Sequence, residues 1–195
     1  IVEGQNEIEI GLKAHNATGN YLCVDYFQLY YTGETTLADY AQVVQGLIEQ
    51  AQEYIDKGIQ NSVASSVEKA IESAQTAIQG TGTDGQGNII YDKTALLNAI
   101  SLMEAEIEKA KASRQLYDNL QDRIDYAEKV LGWWKDEPSK AETVAKLEEF
   151  IITAKERMTD YTLSKIRINS TVSTLNSRIE AVDKKIYTSV NACGT

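Results

Sequence analysis

The 195-residue sequence has one histidine, one proline, two cysteines and no run of about 20 apolar residues that would span a membrane. Two cysteines supply neither a disulfide framework nor the spacing of a zinc site. Cys23 and Cys193 pair only if the fold brings the two ends of the chain together; the alternative is a buried strand thiol and a separate tail thiol. The scarcity of these residues removes most metal-based and thiol-based functions from consideration.

Basic residues are also in the minority. Nineteen Lys and Arg against 29 Asp and Glu give a formal net charge of -10, which argues against binding to nucleic acid or to an anionic membrane surface. Hydrophobic residues make up 43% and charged residues 25%, so the chain is expected to bury a core. Eleven Tyr against two Phe and two Trp favour aromatic side chains at partly wet surfaces.

The first 34 residues have the two-residue period of strands. Residues 7–13 (EIEIGLK) alternate between apolar and polar, and residues 15–20 (HNATGN) form a turn cluster. Residues 21–32 form a second strand whose two faces are both largely apolar. The sequence therefore predicts an N-terminal β-hairpin within residues 1–34 that needs to be covered by other structure.

From Thr36 onward the period is helical. Thr35 or Thr36 caps a helix that Gly58 ends, Asn61 or Ser62 opens a second that Gly80 stops, and residues 80–88 form a flexible loop. Asp92 caps a third helix that continues without a breaker to about residue 134. We expect Ser139 to cap a fourth helix to about residue 159 and Thr162 to start a fifth, to about residue 190.

The apolar stripes repeat with a shift of about 72 to 80 residues. This repeat predicts a mainly α fold: a short N-terminal β-hairpin (1–34), then two tandem three-helix bundles (35–112 and 113–195) that share one long central helix. We expect the shared helix to make a stiff rod, and a proline near Ser113 to divide the rod into two mobile bundles.

The segment GLKAHNATGNYLCVDYFQLYYTGE resembles the last two strands of galactose-binding-like, carbohydrate-binding jelly rolls in surface glycan-handling proteins of Bacteroides-type bacteria. Tyr26 replaces the Asn that those closing strands usually carry. The helical remainder resembles FIVAR-type three-helix repeats. The resemblance implies that residues 1–34 are the remnant of a jelly-roll domain and that the protein is secreted or attached to the bacterial surface. The chain starts at Ile1 without an initiator Met or a signal peptide, so we expect it to be a processed or excised piece.

Four aromatic residues are candidates for contact with a sugar ring: Trp133 and Trp134 at the end of the third helix, and Tyr26 and Tyr30 in the second strand. The alternative for the two Trp residues is packing against the end of the second bundle and the linker around Pro138. For the Tyr residues it is packing within the core and at the domain junction.

The remaining polar candidates point to no catalytic chemistry. His15 lies alone in a turn cluster, and the glycine-rich loop around Asp84 fits neither a P-loop nor an EF-hand. Two groups of carboxylates stand at helix-surface spacing beside lysines, which is typical of a solvated face: Glu104, Glu106 and Glu108, and Glu148 and Glu149. Asn16 and Asn169 begin glycosylation sequons. We therefore expect no catalytic residues, no metal and no cofactor.

The sequence favours a non-catalytic helical spacer or binding module that presents an upstream carbohydrate-binding domain. Its partners would be a glycan, reached through that domain, or another surface protein, with neither nucleic acid nor membrane insertion. The alternatives are a C-terminal accessory region of a glycoside hydrolase and a protein-binding adhesin module.

Overall fold

The computed structural model describes residues 35–184, all of which belong to one compact unit. The predicted hairpin of residues 1–34, both cysteines and the last eleven residues lie outside the described range. Five helices and one small sheet make up the described part: α1 (Leu37–Asp56), α2 (Asn61–Gln79), β1 (Gly82–Thr83), β2 (Ile89–Ile90), α3 (Lys93–Trp134), α4 (Ala141–Met158) and α5 (Lys165–Val182).

The first three helices begin and end where capping residues and glycines predict. Thr36 and Asp39 form a reciprocal capping box at the start of α1. The Asp92 side chain accepts hydrogen bonds from the amides of Thr94 and Ala95 at the start of α3. Gly58, which follows the C-terminal residues of α1, has a φ of 81° that suits glycine.

Two predicted helix starts are wrong. Ser139 does not cap α4; it lies within a 3-10 turn (Pro138–Lys140), and its amide donates to the Glu137 side chain. Thr162 does not start α5, because its amide and hydroxyl are both bonded to the Asp160 carboxylate in a tight turn. Ser164 caps α5 instead. In both cases a local side-chain turn takes the backbone amides that a helix start would use.

The loop between α2 and α3 is also more ordered than predicted. The strands β1 and β2 pair in an antiparallel hairpin, with Gly82 opposite Ile90 and Thr83 opposite Ile89. At its tip, one Asp84 carboxylate oxygen accepts hydrogen bonds from the amides of Gln86 and Asn88. These bonds hold the turn closed and lower the pKa of Asp84.

The described part is mainly α, as predicted, and contains two tandem three-helix bundles that share α3. The helices α1 and α2 pack on the first half of α3, and α4 and α5 pack on its second half. At 1.5 Å per residue, the 42 residues of α3 span roughly 60 Å. No helix in residues 35–184 combines the length and the apolar character needed to cross a bilayer.

Candidate functional site

The two hydrophobic cores meet at the middle of α3. The first core uses α3 side chains up to Ala110, and the second begins at Tyr117. Between them the buried stripe of α3 is interrupted by Ser113, which is 3% exposed, and by Arg114. We call this segment of α3, with the connections 57–61 and 159–164 that lie against it, the junction.

Ser113 and Arg114 hold the connection between α1 and α2 against α3. The Ser113 hydroxyl oxygen accepts a hydrogen bond from the amide of Gln60 at 2.9 Å. One nitrogen of the Arg114 guanidinium donates to the carbonyl oxygens of Lys57 and, at 2.8 Å, Gly58. These are C-terminal carbonyls of α1, which lack helical partners, so the guanidinium satisfies them and also complements the negative end of the helix dipole.

The same connection is bonded directly to the second bundle. The amide of Asn61 donates to the carbonyl of Tyr161 at 2.8 Å. The side-chain amide of Gln60 donates to the carbonyl of Leu163 at 2.6 Å. The loops of the two bundles therefore form hydrogen bonds with each other as well as with the helix that they share.

An aromatic pair closes the junction on the second-bundle side. Tyr117 is fully buried, and its ring meets the ring of Tyr161 edge to face at 5.1 Å between centroids. The Tyr117 hydroxyl donates to the carbonyl of Asp160 at 3.1 Å. Burial, together with the charge of Asp160 and the neighbouring Tyr161, raises the pKa of Tyr117 to about 12, although Arg114 acts in the opposite direction. Asp160 itself keeps a lowered pKa because the Thr162 hydroxyl and amide donate to it.

Gly58 is required at its position for two reasons. Its φ lies in the left-handed region, and a Cβ atom there would stand 2.7 Å from the Cε1 atom of the Tyr161 ring and still nearer its hydroxyl. The first bundle's loop therefore packs so closely on Tyr161 that only glycine fits.

The candidate tryptophans separate into two environments. Trp134 is half-buried against the second core, and the Lys140 ammonium lies 3.7 Å from its ring centroid. Lys140 also donates to the carbonyl of Val182, which ties the 3-10 turn to the end of α5. Trp133 is 57% exposed. The two side chains do not form a joint platform in this arrangement, because the face of Trp134 is occupied by Lys140.

The carboxylates are on solvated faces with one exception. Glu104, Glu108, Glu148 and Glu149 are exposed, as expected. Glu106 was expected among them, but it is only 7% exposed. The prediction was wrong for Glu106 because the groove-facing stripe of α3 passes through it.

The other candidates give little to assemble. Asn169 is exposed on α5. His15, Asn16, Tyr26 and Tyr30 lie outside the described residues. Within residues 35–184, no three His, Cys, Asp or Glu side chains come together in a way that could hold a metal ion.

Sequence reasoning did not identify the junction as a site. Its hydrogen bonds join residues more than 40 positions apart, which periodicity does not reveal. One local signal was present: Ser113 and Arg114 are polar residues on the otherwise apolar stripe of a helix, where a polar group is expected to have a specific partner.

The fold and this site define a tandem of two three-helix bundles joined by an interlocked junction. No protein-family model matches the chain, and no curated protein or solved structure shows significant similarity to it.

Proposed function

We propose that this chain is a rigid, non-catalytic spacer that holds two attachment points at a fixed distance and orientation. The observation that carries the proposal is the hydrogen bonding between the loops of the two bundles at the junction. Two bundles joined only by a continuous helix can still bend at the midpoint of that helix. Here Gln60 and Asn61 are bonded to Leu163 and Tyr161, so bending in the direction that separates the loops breaks hydrogen bonds between partly buried groups.

The sequence of the first 34 residues supports a role in presenting a carbohydrate-binding domain. Its resemblance to the closing strands of a jelly roll places such a domain on the N-terminal side of α1, at one end of the rod. In this proposal the protein acts at the bacterial surface or outside the cell, where a stalk of roughly 60 Å sets the reach of the glycan-binding domain.

Pulsed electron–electron distance measurements between spin labels test the rigidity. The labels are placed on exposed positions of α1 and α4, Gln42→Cys and Glu149→Cys, after Cys23 and Cys193 are replaced by serine. A matched pair within the first bundle, Gln42→Cys and Glu72→Cys, supplies the width expected for a rigid body. We expect the distance distribution between bundles to be as narrow as the one within a bundle. A broad or two-peaked distribution between bundles would overturn the proposal.

A further inference from the structure

A groove of about 480 Å³ runs along the outer seam between α2 and α3 in the first bundle. Its volume is within the range of small-molecule sites. The walls carry small, hydroxyl-bearing and aliphatic side chains, among them Ser73, Thr76 and Ala77 of α2 and Ala95, Ala99 and Leu102 of α3. The groove is independent of the junction and of the proposed spacer role.

Glu106 lies at the end of this groove nearer the junction. Residues 95, 99, 102 and 106 follow one another at spacings of four, three and four, so they share one face of α3. Helical side chains lean toward the N-terminus of their own helix. The Glu106 carboxylate therefore leans toward Leu102 and the groove, and the side chain is 10% exposed.

One oxygen of this buried carboxylate has no donor. The Oε1 atom accepts a hydrogen bond from the Lys109 ammonium at 2.6 Å. The Oε2 atom is shielded from solvent and has no hydrogen-bond partner within the described part of the chain. An unpartnered buried carboxylate oxygen destabilises a fold, so its presence beside a groove points to a donor that a ligand supplies.

The surrounding charge favours a cationic ligand. Residues 35–112 contain eleven acidic and five basic side chains, so the first bundle carries a negative field. At the far end of the groove, the α3 amides of Thr94 and Ala95 are already bonded to the Asp92 carboxylate. Those amides are therefore not available to hold an anion, as an uncapped helix N-terminus would be.

We propose that this groove binds a primary alkylammonium compound. The ammonium group donates a hydrogen bond to Glu106 Oε2, and the alkyl chain lies along Ala77, Ala99 and Leu102. This arrangement supplies the missing donor and covers the aliphatic wall of the groove at the same time.

Nuclear magnetic resonance titration of the 195-residue chain with three five-carbon probes tests the proposal. The probes are n-pentylammonium chloride, pentan-1-ol and sodium pentanoate, which differ in charge at a constant chain length. We expect n-pentylammonium to shift the amide signals of Ser73, Ala77, Ala99, Leu102 and Glu106 with saturation. Pentan-1-ol should bind at least about tenfold more weakly, and pentanoate should not bind. Equal binding of the amine and the alcohol, or no saturable shift with the amine, would overturn the proposal.

Three variants separate Glu106 from the general negative charge of the bundle. Glu106→Gln should weaken amine binding at least about tenfold, whereas Glu104→Gln, which removes the same charge from an exposed neighbouring position, should leave it nearly unchanged. Equal weakening by both variants would contradict a specific role of Glu106. Ser73→Lys places a tethered ammonium in the groove without altering the core, and it should abolish binding; unchanged binding in this variant would place the amine elsewhere.

Discussion

The α-carbon of Gly58 lies against the ring of Tyr161, a residue 103 positions later in the chain and in the other bundle. A Cβ atom at Gly58 would stand 2.7 Å from a carbon of that ring, well inside van der Waals contact. This contact, together with the hydrogen bond from Asn61 to the Tyr161 carbonyl, fixes the position of one loop on the other.

Gly58→Ala should destabilise the protein by more than about 2 kcal/mol, because it introduces both an unfavourable φ and a steric clash. Gly46→Ala is the matched control: it lies within α1, nothing occupies the space around its Cβ position, and it should stabilise by about 0.5 to 1 kcal/mol. Urea unfolding measures both changes. The double variant Gly58→Ala/Tyr161→Ala should show a coupling of at least about 1 kcal/mol; strict additivity would contradict the contact.

Replacing Arg114 by Met should loosen the junction, because the carbonyls of Lys57 and Gly58 lose their guanidinium donor. We expect a loss of about 1 to 3 kcal/mol in the free energy of unfolding and a broader distance distribution between spin labels on α1 and α4. Lys111→Met, which removes an exposed cation one turn earlier, should change neither quantity measurably. Equal broadening in the two variants would show that Arg114 acts only through its charge.

A proline at Ser113 should separate the two bundles. It breaks α3 at the junction and also removes the hydroxyl oxygen that accepts from the Gln60 amide. Small-angle X-ray scattering should then show a changed maximum dimension and a flexible particle. Ser113→Ala, which removes only the acceptor, should leave the maximum dimension unchanged and cost about 1 to 3 kcal/mol. A maximum dimension unchanged by the proline would rule out α3 as the source of stiffness.

Alkaline pH should weaken the junction through Tyr117. The raised pKa means that the folded state favours the neutral phenol, so the stabilisation is complete below pH 10 and is lost as the pH rises from 10 through about 12. Urea unfolding midpoints between pH 9 and pH 12 should fall more steeply for the wild-type protein than for Tyr117→Phe, which has no ionisable group there. Other Tyr and Lys residues titrate in both proteins, so parallel curves would contradict the assignment.

The two tryptophans should respond differently to substitution. Trp134→Ala should cost about 3 to 5 kcal/mol at most and less if the half-buried site relaxes, because it leaves a gap beneath Lys140 and exposes the second core. Trp133→Ser should change the free energy of unfolding by less than about 0.5 kcal/mol, as for an exposed side chain. Thermal and urea unfolding of both variants provide the comparison. A large loss for Trp133→Ser would assign it a packing role that its exposure does not suggest.

Much of the fold could be predicted from the sequence because its determinants are local. The caps at Thr36 and Asp92 and the breaker at Gly58 place the helix ends near those residues, and the apolar period identifies the faces that pack. The shared helix follows from the absence of any breaker between residues 93 and 134.

The errors arise where side chains act over short turns or across the fold. The Asp160 turn takes the amide of Thr162, and the Glu137 turn takes that of Ser139, so both helices start later than predicted. The burial of Glu106 depends on the position of α2, which the sequence of α3 alone does not contain. The junction could not be derived for the same reason, since it depends on how two loops meet in space.

The unbroken helix α3 has a consequence for direction as well as for distance. Successive residues of an α-helix are rotated by about 100°, so the number of residues between the two cores sets the angle about the rod axis at which the second bundle faces. The loop contacts at the junction are compatible with only one such angle. The length of α3 thus encodes an azimuth, and whatever is attached at the two ends is presented in a defined relative direction around the axis.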